Sequence, residues 1–385
     1  MKVRVLVLGA GLVGLHYAVG IERIKSGELE PIGVPLAGYK MPVDISDIEM
    51  VGYVDVDESK VGKRLYDVAF EALGRELPIP DTLKEIEVYR GIHAGSLKGL
   101  PFKAAGLDDF YGMEEALNKF TELLDTLKPD VVINVITTEH AKPFNDTAAF
   151  IESAKLGRIS ASHAYALAVA RYSEAGKKAA YVNFVPSPIA NDPGVLKLYE
   201  DIGSLVFGDD GATGATPLTA DLLEHLAERN RRVLSIAQFN IGGNTDFLAL
   251  SDPSRNIMKE RTKSDVVESI LGYDVPHYIK PTGYLEPLGD KKFVAMHIWW
   301  KTFNGLEDEL VVNLRINDSP ALAGLMVDLS RIAGAMLSKG LKGTVYEVNA
   351  FFMKKPGPPG SKNIARILAY QRMISKLKEL GIILQ

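Results

Sequence analysis

Cysteine is absent from the 385-residue chain, which excludes disulfides, thiolate zinc sites and a cysteine nucleophile together. Glutamine occurs only at Gln238, Gln371 and Gln385, and poverty in both residues fits a chain built to survive heat. Neither sign of charge dominates: 44 Lys+Arg stand against 49 Asp+Glu, a formal net charge of -5. That balance argues against broad attachment to nucleic acid or to an anionic membrane face. Apolar runs such as Phe293 to Trp300 fall far short of the roughly 18 residues of a membrane span, so no membrane partner is expected. Lys2 and Arg4 ahead of an apolar stretch imitate a signal peptide. Gly9, Gly11 and Gly14 interrupt that stretch, no A-x-A-like cleavage site follows, and the expectation is a cytoplasmic protein.

With 46% hydrophobic and 24% charged residues, the composition is globular, and the length predicts at least two cores. Val3 to Leu8 is a continuous apolar run, as in a strand buried on both faces of a parallel sheet. Gly9-Ala10-Gly11-Leu12-Val13-Gly14 follows, and Leu15 to Ser26 reads as a helix. Strand, G-x-G-x-x-G and helix in that order form a dinucleotide-binding fingerprint, in which the helix N-terminus meets a pyrophosphate. A second strand, Met50 to Val54, ends at Asp55, where a carboxylate could accept ribose hydroxyls. Asp57 is its rival. The stretch Gly27 to Asp47 puts either acid much further on than the usual ~20 residues. A later strand, Val131 to Ile136, leads into Thr137-Thr138-Glu139 at the edge where open α/β sheets bind ligands.

The pattern changes after about Asp192. Leu310, Val312, Leu314 and Ile316 alternate with more polar neighbours, and Val233 to Ile241 and Phe293 to Phe303 behave similarly, predicting a second sheet with one drier face. Trp299 and Trp300 would then point to opposite faces, one of them towards a subunit contact. Ser319-Pro320 suggests the N-cap and first position of an apolar helix to about Leu337, and Lys354 to Gly360 a turn before a final amphipathic helix. Lys259 and Lys263 are placed just before or at the start of a helix that Thr262 or Ser264 could cap, two cations beside free backbone N–H groups.

Two passages carry more than scaffold: Gly242-Gly243-Asn244-Thr245-Asp246-Phe247-Leu248 with Lys259 to Ser264, and Gly289-Asp290-Lys291-Lys292 with Asp318-Ser319-Pro320 and Phe352-Met353-Lys354. Together with Tyr181-Val182-Asn183-Phe184-Val185-Pro186 and Ala190-Asn191-Asp192-Pro193, they resemble, in order and over nearly the whole chain, the short archaeal and bacterial branch of the myo-inositol-phosphate synthases. The resemblance implies an α/β fold: a Rossmann-type NAD-binding domain (1–190 plus 337–385) with an inserted α+β catalytic and tetramerisation domain (191–336).

It also implies an NAD-dependent cyclase turning D-glucose 6-phosphate into 1D-myo-inositol 3-phosphate, as a homotetramer, by C5 oxidation, loss of a C6 proton, aldol closure on C1 and re-reduction. An ordinary dehydrogenase with net hydride transfer to or from another sugar phosphate is the alternative. The implied catalytic residues are Lys259 and Lys354 around the C5 oxygen, Asp318 orienting Lys259, and Lys263 with Lys292 at the C1 aldehyde, with Lys291 and Lys355 as rivals by one position. Gly9, Gly11, Leu12, Val13, Gly14, Asp55, Asn134, Thr137, Asp209 and Asp246 form the expected cofactor set, and Gly243, Asn244, Thr245 and Thr213 the phosphate set. One departure is that Gly208-Asp209-Asp210 runs directly into Gly211-Ala212-Thr213, where the family has a longer phosphate loop, so Thr213 and Thr216 are the substitute hydroxyl donors. A divalent ion on Asp246 or Asp318 belongs to the same resemblance, its site left unassigned.

Overall fold

The computed structural model describes residues 1–97 and 103–384, and the side chains of all of these except 261–265. Six strands, β1 Val3–Leu8, β2 Ile48–Asp55, β3 Val88–Arg90, β4 Val131–Asn134, β5 Ala180–Asn183 and β6 Val206–Phe207, form one sheet in the order β3-β2-β1-β4-β5-β6. Every pairing within it is parallel. The continuous apolar run of β1 has the cause inferred for it: Val3, Val5 and Val7 enter one core while Leu6 and Leu8 enter the core on the opposite face. The strand order reverses between β1 and β4, so their carboxyl ends open a crevice, the place where doubly wound sheets bind ligands.

A second sheet is built from β7 Arg232–Gly242, β8 His277–Tyr284, β9 Lys291–Lys301 and β10 Glu307–Asn317, in the order β10-β9-β7-β8. It is mixed: β9 runs antiparallel to β7 and β10, while β8 is parallel to β7. Val233, Ile236, Val294, Met296, Ile298 and Trp300 bury one face, in one cluster with Leu223 and Leu226 of helix Thr216–Ala227 and Val267 of helix Pro253–Leu271. No helix of that cluster covers the other face, where Phe239, Trp299 and Val311 are 45%, 40% and 63% exposed. The alternation read in the sequence is this asymmetry, and the two tryptophans take opposite sides of it.

Sheet membership differs from the division expected at 190 and 337. β6 lies beyond the first limit, and helix Asp318–Ser338 packs into the core beneath the first sheet through Met326, Leu329 and Ile332. By length and hydropathy this helix could cross a membrane, which the apolar runs picked out in the sequence did not reveal; here its apolar surface is spent on that core, with 72% of its most apolar window buried. Val348, Phe352, Met373 and Leu377 bring helices Tyr346–Phe352 and Arg366–Glu379 into the same core.

The insertion that delays Asp55 is a strap over the long helix. Arg331 donates to the carbonyls of Leu36, Tyr39 and Val43 at 3.0–3.2 Å, and Asp328 accepts the Leu36 N–H at 2.7 Å. Arg331 and Asp328 are buried and paired at 2.9 Å.

Two helix starts differ from expectation. Helix Pro253–Leu271 is capped by Asp252, whose carboxylate accepts the Ser254 N–H at 2.8 Å, so Lys259 stands well inside it rather than at its start. The long helix begins at Asp318 with Asn317 as N-cap; Ser319 lies in its first turn, where its N–H is taken by Asp290 from another segment.

Candidate active site

One cleft of about 400 Å3 crosses the carboxyl ends of β1, β2 and β4 and reaches the first turn of the long helix. At one end are Gly9, Gly11, Leu12, Val13, Asp55 and Asp57; at the other, Asp210, Thr213, Asn244, Thr245, Asp246, Lys259, Asp318 and Lys354. Gly9 has φ +109, and a Cβ there would lie 2.8 Å from the Val135 carbonyl oxygen, so the turn demands glycine. A Cβ at Gly14 would strike the Gly9 carbonyl, which is the close strand-to-helix packing of the third glycine; Gly14 supports the turn without lining the cleft. Gly11 faces open space, and helix Leu12–Lys25 starts with no side-chain cap and no acid in its first turn. Its leading N–H groups and its positive dipole end therefore suit a pyrophosphate.

Asp55 closes the turn: one carboxylate oxygen accepts the Ala10 N–H at 2.9 Å, and the other accepts Val56 and Asp57 N–H at 2.7 and 3.0 Å. Lys60 stands 3.4 Å from Asp55 and 3.7 Å from Asp57. Asp57 spends one oxygen on its own turn, accepting from Ser59 N–H and Oγ at 2.9 and 2.7 Å, so Asp55 is the acid that meets the glycine loop.

The lysine end is organised by Asp210, which motif reading passed over for its neighbour. Its Oδ1 accepts from both Lys259 and Lys354 at 3.2 Å. Lys354 is aimed there by main-chain pairing, its own N–H donating to the Asp210 carbonyl at 2.6 Å. Lys259 also lies 3.9 Å from Asp246, whose other oxygen accepts from Thr138 Oγ1 at 2.8 Å. Asp318 holds Lys292 at 2.7 Å. It was expected to orient Lys259, a role that distance gives to Asp210. Lys292 is buried and Lys291 exposed, as alternation along β9 requires. Neither Lys292 nor Lys355 lines the cleft itself, Lys292 standing behind Asp318, which does; the Lys263 side chain lies outside the described residues.

Burial drives the Lys354 ammonium below the usual lysine range, the charges of Lys259 and Lys292 add to this, and Asp210 only partly opposes it. Burial acts on Lys259 in the same direction, but Asp210, Asp246 and Asp318 outweigh it and hold that pKa above the ordinary value. Asp318 feels burial upward, and Lys292, Lys354 and Lys259 together more than reverse it, leaving the carboxylate below its usual range. Two amines sharing one carboxylate are thus shifted in opposite directions, Lys354 downward and Lys259 upward.

Four expected residues are engaged elsewhere. Asn134, the last residue of β4, is buried, donating to Ser162 Oγ at 3.0 Å and Asn183 Oδ1 at 2.9 Å. Asp209 faces away from the cleft and gathers N–H donors from Ile189, Ala190 and Asn191 at 2.9–3.2 Å; burial pushes its pKa up to about 6. The Gly243 N–H is taken by the Gly289 carbonyl at 2.9 Å. Asn244 borders the cleft, yet its amide donates to Asp290 at 2.9 Å and its oxygen accepts the Phe247 N–H at 3.1 Å. Thr137, Thr213, Thr245 and Asp246 do line the cleft. Among the described residues no group of three or more His, Asp or Glu is placed to hold a metal ion.

The family model of the myo-inositol-1-phosphate synthases matches residues 214–319, the segment that supplies Asp246, Lys259, Lys292 and Asp318. Over the full length of both chains, the structure is similar to that of a myo-inositol-1-phosphate synthase-related protein from Thermotoga maritima, at 48% identity and a TM-score of 0.93. The chain belongs to the myo-inositol-1-phosphate synthase family. Within this family, the inositol-3-phosphate synthase of Corynebacterium glutamicum is 28% identical over 379 residues, covering 94% of this chain and 96% of that one. The inositol-3-phosphate synthase of Caenorhabditis elegans shares the fold, with a TM-score of 0.79 at 19% identity over 98% of this chain and 85% of that one.

Proposed function

We propose that the chain is an inositol-3-phosphate synthase that cyclises D-glucose 6-phosphate to 1D-myo-inositol 3-phosphate. The observation that carries this reading is the placing of two oppositely shifted lysines on one buried carboxylate, in the same cleft as a glycine turn suited to a dinucleotide. NAD, when bound, supplies the hydride acceptor and later the donor at C5. Gly9, Gly11 and the start of helix Leu12–Lys25 would hold its pyrophosphate, and Asp55 would hold its ribose.

Lys354, with its lowered pKa, takes the C5 hydroxyl proton, and Lys259 keeps its charge beside the same oxygen. A C6 proton then passes to solvent water, leaving an enolate whose negative oxygen Lys259 stabilises while C6 attacks C1; Lys354 returns its proton to the C5 oxygen on re-reduction, and solvent restores the proton that Lys292 gives up. Lys292, fixed by Asp318, polarises the C1 aldehyde and protonates the new alkoxide. Thr213 and Thr245 offer hydroxyls to the substrate phosphate. The open face of the second sheet, where Phe239, Trp299 and Val311 are exposed, supports assembly as a homotetramer.

Because C5 is oxidised and then reduced, no net redox change accompanies turnover. Family membership therefore weighs against the alternative of net hydride transfer. Purified protein given glucose 6-phosphate and a trace of NAD should release inositol phosphate, separable by chromatography, without accumulating NADH. Stoichiometric NADH, or unchanged sugar phosphate in the presence of bound NAD, would overturn the reading.

A further inference from the structure

Asp290 lies outside the cleft lining, in the turn between Leu288 and the start of β9. Three donors converge on its carboxylate from two other segments. Oδ1 accepts from the Asn244 amide at 2.9 Å and from Ser319 Oγ at 2.6 Å, and Oδ2 accepts the Ser319 N–H at 2.8 Å. Its carbonyl takes the Asp318 N–H at 3.3 Å and the Lys292 N–H at 3.0 Å. Asn244 in turn caps the short helix Thr245–Ala249, which carries Asp246.

One side chain therefore joins the segment of Asp246, the helix start bearing Asp318 and the strand start bearing Lys292. A carboxylate is suited to the task because it accepts only, with lone pairs enough for all three donors, and its charge is favourable at the start of helix Asp318–Ser338. An asparagine has a single accepting oxygen and would turn an N–H against one of the donors.

We infer that Asp290 is a positioning residue for the proposed cyclisation, bracing the Lys292–Asp318 pair against the segment of Asn244 and Asp246. The inference rests on the reaction proposed above for its kinetic consequence, and on geometry alone for the brace. D290N should lower kcat by about 10- to 100-fold, the usual effect of losing a group that orients a reacting one, while KM for glucose 6-phosphate and Kd for NADH, read by fluorescence, stay within about threefold. D290A should fall lower still, since the amide of D290N keeps at least one Ser319 bond. The double variant D290N/N244A should be slower by less than the product of the two single losses, because the Asn244–Asp290 bond is common to both while the helix cap and the Ser319 bonds are not.

Hydrogen exchange of D290N in the full-length protein provides a readout independent of turnover. Amides near 244–249 and 318–322 should exchange faster, with the glycine turn at 9–14 unchanged. If the wild-type protein makes no inositol phosphate but this local exchange pattern appears, the reaction fails and the brace stands. Exchange unchanged at both segments, or raised throughout the chain, refutes the brace; kcat within twofold of wild type in both D290N and D290A refutes its part in catalysis, as do multiplicative losses in the double variant.

Discussion

The two sheets do opposite kinds of work. The six-stranded sheet is covered on both faces and offers mainly backbone to the cleft: a glycine turn, the start of a helix and one acid at a strand end. The four-stranded sheet has one open face, and its neighbourhood offers charges on side chains, Lys259, Lys292 and Asp318, set against Asp210 and Lys354 from segments that pack with the first sheet. Binding built on main-chain N–H groups tolerates many substitutions around it, whereas chemistry built on an ion-pair cluster fails when one charge is removed. Substitutions in the two halves should therefore separate binding from turnover.

The largest effect falls in the cluster. K259A, K292A and K354A should each cut turnover at least about a hundredfold with NAD binding retained, measured as inositol phosphate released beside an NADH titration. Near-normal rates in two of them would break the division of labour. D210N should also be slow, and with a distinctive pH signature. Because Asp210 raises the pKa of Lys354, its loss should carry the acid limb of kcat/KM to lower pH, and a limb that stays in place or rises would contradict the shared-carboxylate geometry.

The mirror-image variant is G9A. Its Cβ would meet the Val135 carbonyl, so Kd for NADH should weaken by an order of magnitude or more while the far end of the cleft keeps its pairs. On the open face, a charge in place of Trp299 (W299E) should shift the sedimentation profile towards smaller species, leaving the melting behaviour of the first sheet nearly intact.

The smallest effect is a pH dependence of stability. Burial lifts the Asp328 carboxyl to about 6, against the opposing bonds from Leu36 and Arg331. A raised carboxyl pKa stabilises the fold below the unfolded value, near 4, and that contribution disappears as pH rises through 6. D328N should therefore flatten the fall in denaturation free energy between pH 4 and 6 by about one proton's worth, besides lowering stability at every pH.

How far the residues alone disclosed this arrangement depended on distance along the chain. The turn Gly9 to Gly14 and the buried run of β1 are local patterns, and each has the structural cause inferred for it; Lys291 is a rival of Lys292 by sequence, and alternation along β9 buries one and exposes the other. Asp209 and Asp210 are neighbours that diverge, one into the core and one into the cleft, and nothing local decides which goes where. Pairing across 144 positions decides it, when the Lys354 main chain runs alongside Asp210. The same holds at the start of the long helix. Ser319-Pro320 has the composition of a cap, but Asp290, 29 residues away, supplies the capping carboxylate, a bond that spacing cannot show.

Helix Asp318–Ser338 begins among the lysines and ends deep under the first sheet, where Arg331 and Asp328 tie it to the strap. One helix links the two halves. Heat that loosens the nucleotide half should therefore also disturb the Asp318–Lys292 pair, so turnover should be lost no later than the structure of that half.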